Sequence, residues 1–328
     1  MATSTPYDDV FRTLLADCSE LFLPVLNESF GERYTGKERI EFSPNEHFLW
    51  QQDGDAVERI TDSCFVVISE DGSSSKKYHA ELQSTEDSRM LIRIFEYDAQ
   101  IALDGGEVKD DILTVEFPHS AVLYLRSTGK TPDEMTIRMV APDGSELSYK
   151  IPVMKIQEYD AEEIFRKNLL FLIPFHLFRY EKDFDDCEKD GEKLQKLKAK
   201  YAAIMKRLEA FQDAGAIDEF TKRAIIDMAK EVTRHLAGKY EKVKEGVEST
   251  MGGKILDYEA KDIRNQALAE GRAEGRAEGR AEGHTEGIVQ ATLSSIRKLM
   301  TKMHMTATEA MDILEVPASE QEKYASQL

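Results

Sequence analysis

Two carboxylates and an amide stand at strand-like spacing in the first third of the sequence. Glu81 and Gln83 lie two residues apart, and Asp62 precedes them by about the length of a hairpin. Side chains alternate between the faces of a strand, so Glu81 and Gln83 are predicted to share one face. If Ser69 pairs with Lys76 across the intervening turn, Gln83 lies opposite Asp62, and three oxygen-bearing groups converge.

Carboxylates held this close repel each other unless a cation lies between them. Mg²⁺ prefers oxygen ligands and commonly takes one or two carboxylates, with water and phosphate oxygens in its other positions. Asp62 and Glu81 are therefore predicted to hold Mg²⁺, for which Mn²⁺ could substitute, and together with Gln83 to form a catalytic site. The same spacing is also compatible with no chemistry, with Asp62 capping a bulge and Glu81 solvated at a sheet edge.

The elements that must position these groups are a hairpin and a helix. Residues 57–83 predict two strands joined by the polar turn Glu70–Ser75, and Ser84 or Thr85 could cap the helix that follows. The apolar face of that helix is predicted from residues at helical spacing. These are Met90, Leu91, Ile94, Phe95, Ala99, Ile101 and Ala102.

A second set of residues on this helix is spaced by four and predicts a ridge on another face. Arg89, Arg93 and Tyr97 form this ridge, and Lys77 lies on the preceding strand. Guanidinium groups suit phosphate oxygens, and a tyrosine can bind a phosphate or stack on a base, so these four are the predicted substrate-binding residues. The alternative is a solvated ridge with surface ion pairs.

The motif order resembles the PD-(D/E)XK nuclease superfamily, and in particular its transposase branch, related to the Rpn recombination-promoting nucleases. The residues that carry the resemblance are Ile60-Thr61-Asp62 and Ala80-Glu81-Leu82-Gln83, with Gln83 where the superfamily most often has lysine. The resemblance covers roughly residues 7–290. It implies a restriction-endonuclease-like core that hydrolyses phosphodiester bonds of DNA with Mg²⁺, preceded by a leading helix.

The composition bounds this hypothesis. The chain of 328 residues carries a formal net charge of −19, which argues against tight, non-specific DNA binding and requires a locally basic groove. Three widely separated cysteines, Cys18, Cys64 and Cys187, argue against a disulfide framework or a zinc site and are predicted to be core residues. The histidines form no metal-binding motif, and the sequence assigns them no role.

The periodicities divide the chain into four regions. A mixed α/β (α+β) nuclease-like core is predicted over 1–158, with a helix over 7–30 that breaks at Pro24 and four strands between 111 and 156. Residues 159–258 predict an all-helical subdomain that lines one side of the substrate cleft or mediates formation of a homodimer. Residues 259–287 form a Glu/Gly/Arg-rich tether or helix, and 288–328 a small helical module with a capping box at Thr306 and Glu309.

The four-residue repeat within 269–287 has two interpretations. Its glycines make an isolated helix marginal, which favours a mobile helical tether. Associating copies could instead form a coiled coil, since a period above 3.6 residues favours a right-handed supercoil.

A cytoplasmic location without a membrane partner is expected from two features. Met1–Val10 is polar and acidic, unlike a secretory signal, and the longest apolar run, Leu169–Phe178, is too short to span a bilayer. The predicted function is a Mg²⁺-dependent DNA endonuclease. The alternative is a catalytically inactive, nuclease-like scaffold assembling through its helical half, favoured by the missing lysine and the acidic charge.

Overall fold

The computed structural model describes residues 5–42, 46–50, 56–60, 63–252 and 306–314, with a few single positions near the C-terminus. It forms two compact units, Met1–Lys254 and Ile255–Leu328. The helices are α1 (Pro6–Asp17), α2 (Leu23–Phe30), α3 (Met90–Asp104), α4 (Ala161–Arg166), α5 (Phe184–Lys189), α6 (Gly191–Asp213), α7 (Glu219–Leu236), α8 (Glu241–Thr250) and α9 (Ala307–Ile313).

The first unit is built on a mixed sheet, which confirms the predicted α/β class. The strands are β1 (Arg39–Phe42), β2 (Glu46–Trp50), β3 (Ala56–Ile60), β4 (Ser63–Ile68), β5 (Ser75–Gln83), β6 (Glu107–Lys109), β7 (Ile112–Thr114), β8 (His119–Tyr124), β9 (Glu134–Val140) and β10 (Glu146–Lys155). Six of them form the sheet in the order β1-β4-β5-β8-β10-β9. The central strands β5, β8 and β10 run parallel, and the outer pairings are antiparallel.

The predicted hairpin forms from β4 and β5, but in a different register. Ile68 pairs with Ser75 and Ser63 with Ala80, so the ladder is shifted by two residues from the predicted pairing of Ser69 with Lys76. The turn is closed by Asp71, whose carboxylate accepts hydrogen bonds from the backbone and the hydroxyl of Ser73. This local bonding favours a tight turn after Ile68 and so fixes the register. A shift of two leaves every side chain on its predicted face.

One face of the sheet packs on the large hydrophobic core. Phe65, Tyr78, Ala80 and Leu82 lie on this face and are all buried. Helices α1 and α2 cover it, and the break between them is a 3₁₀ turn at Ser19–Phe22 that falls before the predicted position at Pro24.

The helices after β10 complete the same core. A 3₁₀ segment, Leu170–Asp183, buries Phe171, Phe175 and Phe178, and the ring of Phe171 lies 5.4 Å from that of Phe11 in α1. Helix α7 also packs on α1 and on the 3₁₀ segment. The core is therefore shared across residue 158, where the sequence predicted a domain boundary.

The opposite face of the sheet is covered by α3. This helix begins at Met90 without a side-chain cap, five residues later than a cap at Ser84 and four later than a cap at Thr85 would place it. Its buried stripe is rotated from the predicted one. Phe95 is 37% exposed, whereas Tyr97 and Asp98 are buried. The buried positions of α3 are Met90, Ile94, Tyr97, Asp98, Ile101 and Ala102.

Other predicted elements have mixed outcomes. All four strand predictions between 111 and 156 contain strands, but β7 pairs only with β6 in a separate hairpin. The capping box of Thr306 and Glu309 is confirmed at the start of α9 in the second unit. The tether over 259–287 and Asp62 lie outside the described residues. In the part of the chain that is described, no helix has the length and apolarity that a bilayer span requires.

Candidate functional site

Glu81 lies on the α3 side of β5, near the carboxyl end of the strand. Its side chain is 1% exposed, because α3 covers this face of the sheet. One oxygen, Oε2, accepts a hydrogen bond from Nη2 of Arg93 at 3.1 Å, and the other, Oε1, lies 3.0 Å from Nε2 of His79. The predicted catalytic carboxylate is thus clamped between two nitrogen donors from two different elements.

His79 connects Glu81 to a second buried carboxylate. The Nδ1 atom of its ring lies 2.7 Å from Oδ1 of Asp98 on α3, and the side chains of both residues are fully buried. Asp98 also accepts a 2.6 Å hydrogen bond from Ser120 on β8 and a 3.3 Å bond from the Tyr149 hydroxyl on β10. We call the group of Arg93, Glu81, His79 and Asp98 the ionic chain.

The protonation of His79 follows from its neighbours. Burial lowers the pKa of the imidazole, but hydrogen bonds to Asp98 and Glu81 and their negative charges outweigh burial and raise it to about 9. His79 is therefore an imidazolium at neutral pH that donates from both ring nitrogens. Two cations then alternate with two carboxylates along the ionic chain, and the buried charges balance.

Of the four predicted substrate-binding residues, Arg93 and Tyr97 lie together, and Arg89 and Lys77 lie apart from them. Arg93 contacts Glu81, as its place on the ridge predicted. Tyr97 is 6% exposed, which differs from the predicted separate ridge, and its ring lies edge-on to His79 at 5.9 Å and 6.0 Å from the Arg93 guanidinium. Arg89 is exposed at the N-terminus of α3, where its N–H donates to Asp87.

Lys77 lies at the opposite end of α3 from Arg93. A methyl group added at Gly105, which follows the helix, would be 3.1 Å from Nζ of Lys77, so this ammonium sits at the helix C-terminus. The twelve residues between Arg93 and Gly105 span about 18 Å. Lys77 is thus far from Glu81, because four residues of strand separate them by about 13 Å.

Gln83 continues the face of His79 and Glu81 at the end of β5. It is half-buried, and its backbone carbonyl accepts a hydrogen bond from the N–H of Leu125, the residue that follows β8. In the parallel ladder it lies beside Tyr124. The convergence of Glu81 and Gln83 with Asp62 remains a prediction, since Asp62 lies outside the described residues.

Sequence reasoning missed His79 and Asp98. A signal for Asp98 was present, because it follows Ile94 by four residues and precedes Ile101 by three, which places an acid in the buried stripe of α3. A buried acid requires a partner, and His79 lies two residues from Glu81 on the same face of β5.

The donor set fits a hard divalent cation in its chemistry. The Glu81 carboxylate and the Gln83 amide share one face of β5, and oxygen donors of this kind are those Mg²⁺ prefers. Among the described residues, no group of three or more His, Cys, Asp or Glu side chains is arranged to hold a metal. Of the two predicted carboxylate ligands, Glu81 lies in the described part of the chain and Asp62 lies outside it.

Comparison with known proteins adds no assignment. No protein-family model, no curated protein and no solved structure matches this chain.

Proposed function

We propose that the chain is a Mg²⁺-dependent DNA endonuclease whose site is centred on Glu81. The observation that carries the proposal is the 3.1 Å contact between Glu81 and Arg93. Glu81 lies on a strand and Arg93 on the helix that follows it. The sequence predicts Glu81 as a metal ligand and Arg93 as a phosphate-binding cation. Their contact, and the order of leading helix, hairpin and helix, support the restriction-endonuclease-like core that the resemblance implies.

Each residue then has a defined task. Glu81 and Asp62 would hold the ion, which when bound polarises the scissile phosphate and lowers the pKa of a bound water. Arg93 would present its guanidinium to phosphate oxygens, a role that suits its planar set of donors. Gln83 would orient the water or donate to the phosphate. As a neutral amide it cannot match the charge of the usual lysine, so we expect slow turnover.

The test is plasmid nicking by the purified, full-length protein with Mg²⁺ or with EDTA. We expect Mg²⁺-dependent nicking by the wild type and its loss in Glu81→Gln, which keeps the shape of the side chain and removes its charge. Asp62→Asn should behave in the same way. The matched control is Glu70→Gln, which changes an exposed glutamate paired with Lys37 on the surface and should nick normally. Normal nicking by Glu81→Gln would refute the assignment.

A catalytically inactive scaffold is the second candidate, and one observation favours it. Both carboxylate oxygens of Glu81 have protein partners, and the side chain is 1% exposed, so a metal must compete with Arg93 and His79. In this case the ionic chain serves stability alone. Calorimetric titration with Mg²⁺ and Mn²⁺ separates the candidates: the nuclease binds metal through Glu81 and loses binding in Glu81→Gln, whereas the scaffold shows no binding that depends on Glu81.

A further inference from the structure

An open, polar cleft lies at the carboxyl ends of the parallel strands. It has a volume of about 720 Å³, which is within the size range of ligand sites. It is lined by the loop after β8, by the end of β10 with the 3₁₀ turn that follows, and by the C-terminal part of the 3₁₀ segment Leu170–Asp183. In open sheets with parallel strands, ligands bind in the crevice at this edge.

The cleft lies beside the candidate catalytic site. Gln83, Tyr124 and Lys155 are neighbours across the three parallel strands, and paired residues share one face of a sheet. Two strand spacings put Lys155, on the cleft wall, about 10 Å from Gln83. The end of β5 is tied to this region, because Arg126 donates a 3.2 Å hydrogen bond to the Ser84 carbonyl and two bonds to Glu181.

The lining has the chemistry of a phosphate-binding surface. Three cations, Lys155, Arg179 and Lys182, and two carboxylates, Glu158 and Asp183, line the cleft, which gives the lining a formal excess of one positive charge on a chain of net charge −19. Lys155 is paired with Asp133 at 2.7 Å, and its side chain is only 13% exposed. Arg179 and Lys182 are exposed and supply the accessible positive charge.

The cleft also contains uncharged donors. The hydroxyl-bearing residues Ser127 and Thr128 also line it, next to Gly129, and the Thr128 hydroxyl donates to Glu86 at 3.0 Å. Contacts of proteins to nucleic-acid backbones are made by cations together with hydroxyl and backbone N–H donors, and they fix the position of the strand without reading its sequence.

We infer that this cleft binds the phosphodiester backbone of the nucleic-acid strand flanking the scissile bond, through Arg179 and Lys182. The inference rests on the proposed function for its substrate class. It replaces Lys77 and Arg89 as the main positioning cations, and it implies recognition of the backbone rather than of base edges.

The experiment measures fluorescence anisotropy of labelled single-stranded and duplex oligonucleotides with the full chain in EDTA, where metal-dependent cleavage is absent. The test variant is Lys182→Glu, because Lys182 is exposed and its replacement disturbs no described hydrogen bond. The control is Lys206→Glu, an exposed lysine on α6 outside the cleft with the same charge change. Arg179→Gln is a second variant, checked by circular dichroism because Nη1 of Arg179 donates to the carbonyls of Gln157 and Glu158.

We expect Lys182→Glu to weaken binding severalfold relative to Lys206→Glu. The slope of log K against log salt should fall by about 0.7 for single strands, or about 0.9 for duplex, for each phosphate that the variant no longer neutralises. If Lys182→Glu weakens binding of the single-stranded oligonucleotide alone, the ligand of the cleft is an unpaired strand. If it weakens binding of the single-stranded and the duplex oligonucleotide equally, the cleft contacts the backbone that both share.

Equal affinities of the two lysine variants, or a wild-type protein that binds neither oligonucleotide, would overturn the inference. The outcome is separable from that of the proposed nuclease. Glu81→Gln should retain oligonucleotide binding in EDTA while losing nicking. If Glu81→Gln still nicks but Lys182→Glu binds weakly, the catalytic assignment fails and the cleft assignment stands.

Discussion

Replacing Asp98 with alanine would break the ionic chain at its most buried point. Asp98 is 0% exposed and accepts hydrogen bonds from His79, Ser120 and Tyr149. Its removal leaves a buried imidazolium beside one carboxylate instead of two, and breaking a buried ion pair in this way lowers the free energy of unfolding by about 3–5 kcal/mol. In a unit of this size, each kcal/mol shifts Tm by about 2–4 °C, so Tm should fall by roughly 10 °C.

The assay is urea unfolding at pH 7, followed by far-ultraviolet circular dichroism. The matched control is Asp104→Ala, at the exposed end of the same helix, where the carboxylate accepts a bond from Gln100. It should change the free energy of unfolding by no more than about 0.5 kcal/mol. Asp98→Asn keeps an acceptor for Ser120 but removes the charge, and we expect an intermediate loss. If Asp98→Ala unfolds within about 1 kcal/mol of the control, the ionic chain is not a stabilising element.

Two further predictions follow from buried polar groups. Although burial lowers the pKa of His79, its two carboxylates raise it from 6.5 to about 9, so the folded protein keeps a proton that the unfolded chain releases. The contribution of His79 to the free energy of unfolding should therefore be fully present below pH 6.5 and be lost, by roughly a few kcal/mol, as pH rises through 9. Urea titrations at each pH measure it, and a flat profile between pH 6.5 and 9 would contradict this. Tyr149→Phe removes a hydrogen bond to Asp98 and should lower the free energy of unfolding by about 1 kcal/mol in thermal melts. The matched variant is Tyr201→Phe, because the buried Tyr201 hydroxyl has no hydrogen-bond partner in the described part of the chain. Its free energy of unfolding should be unchanged or higher.

Which side chains of β5 share a face was predictable from sequence, but the register in which β5 pairs with β4 was not. Alternation alone places Glu81 and Gln83 together, and this holds in the structure. The register depended on where the turn closes, and Asp71 forms a tight turn through Ser73 that the pairing of Ser69 with Lys76 did not anticipate. Turn hydrogen bonds of this kind follow from side-chain geometry, which the residue types only partly specify.

The orientation of α3 was predicted approximately. The predicted apolar face shares Met90, Ile94, Ile101 and Ala102 with the observed one, but it included Phe95 and left out Tyr97 and Asp98. The structure selects the stripe containing Asp98, because His79 and Ser120 on the sheet offer that carboxylate partners. This choice depends on tertiary structure, since it requires strands β5 and β8 to lie side by side, which the spacing of the helix residues alone does not specify.

The shared aromatic core limits how this protein can be divided or recombined. Phe171 touches both Phe11 and Phe22, at ring distances of 5.4 and 4.8 Å, although about 150 residues of chain separate them. A fragment ending after β10 would expose to water α1 and the face of the sheet that carries Phe65, Tyr78 and Leu82, and it should aggregate. Truncations that seek a minimal folded fragment must therefore keep the chain through α8, whose Val243 and Val247 belong to the same core, and the first 158 residues should not fold as an independent domain.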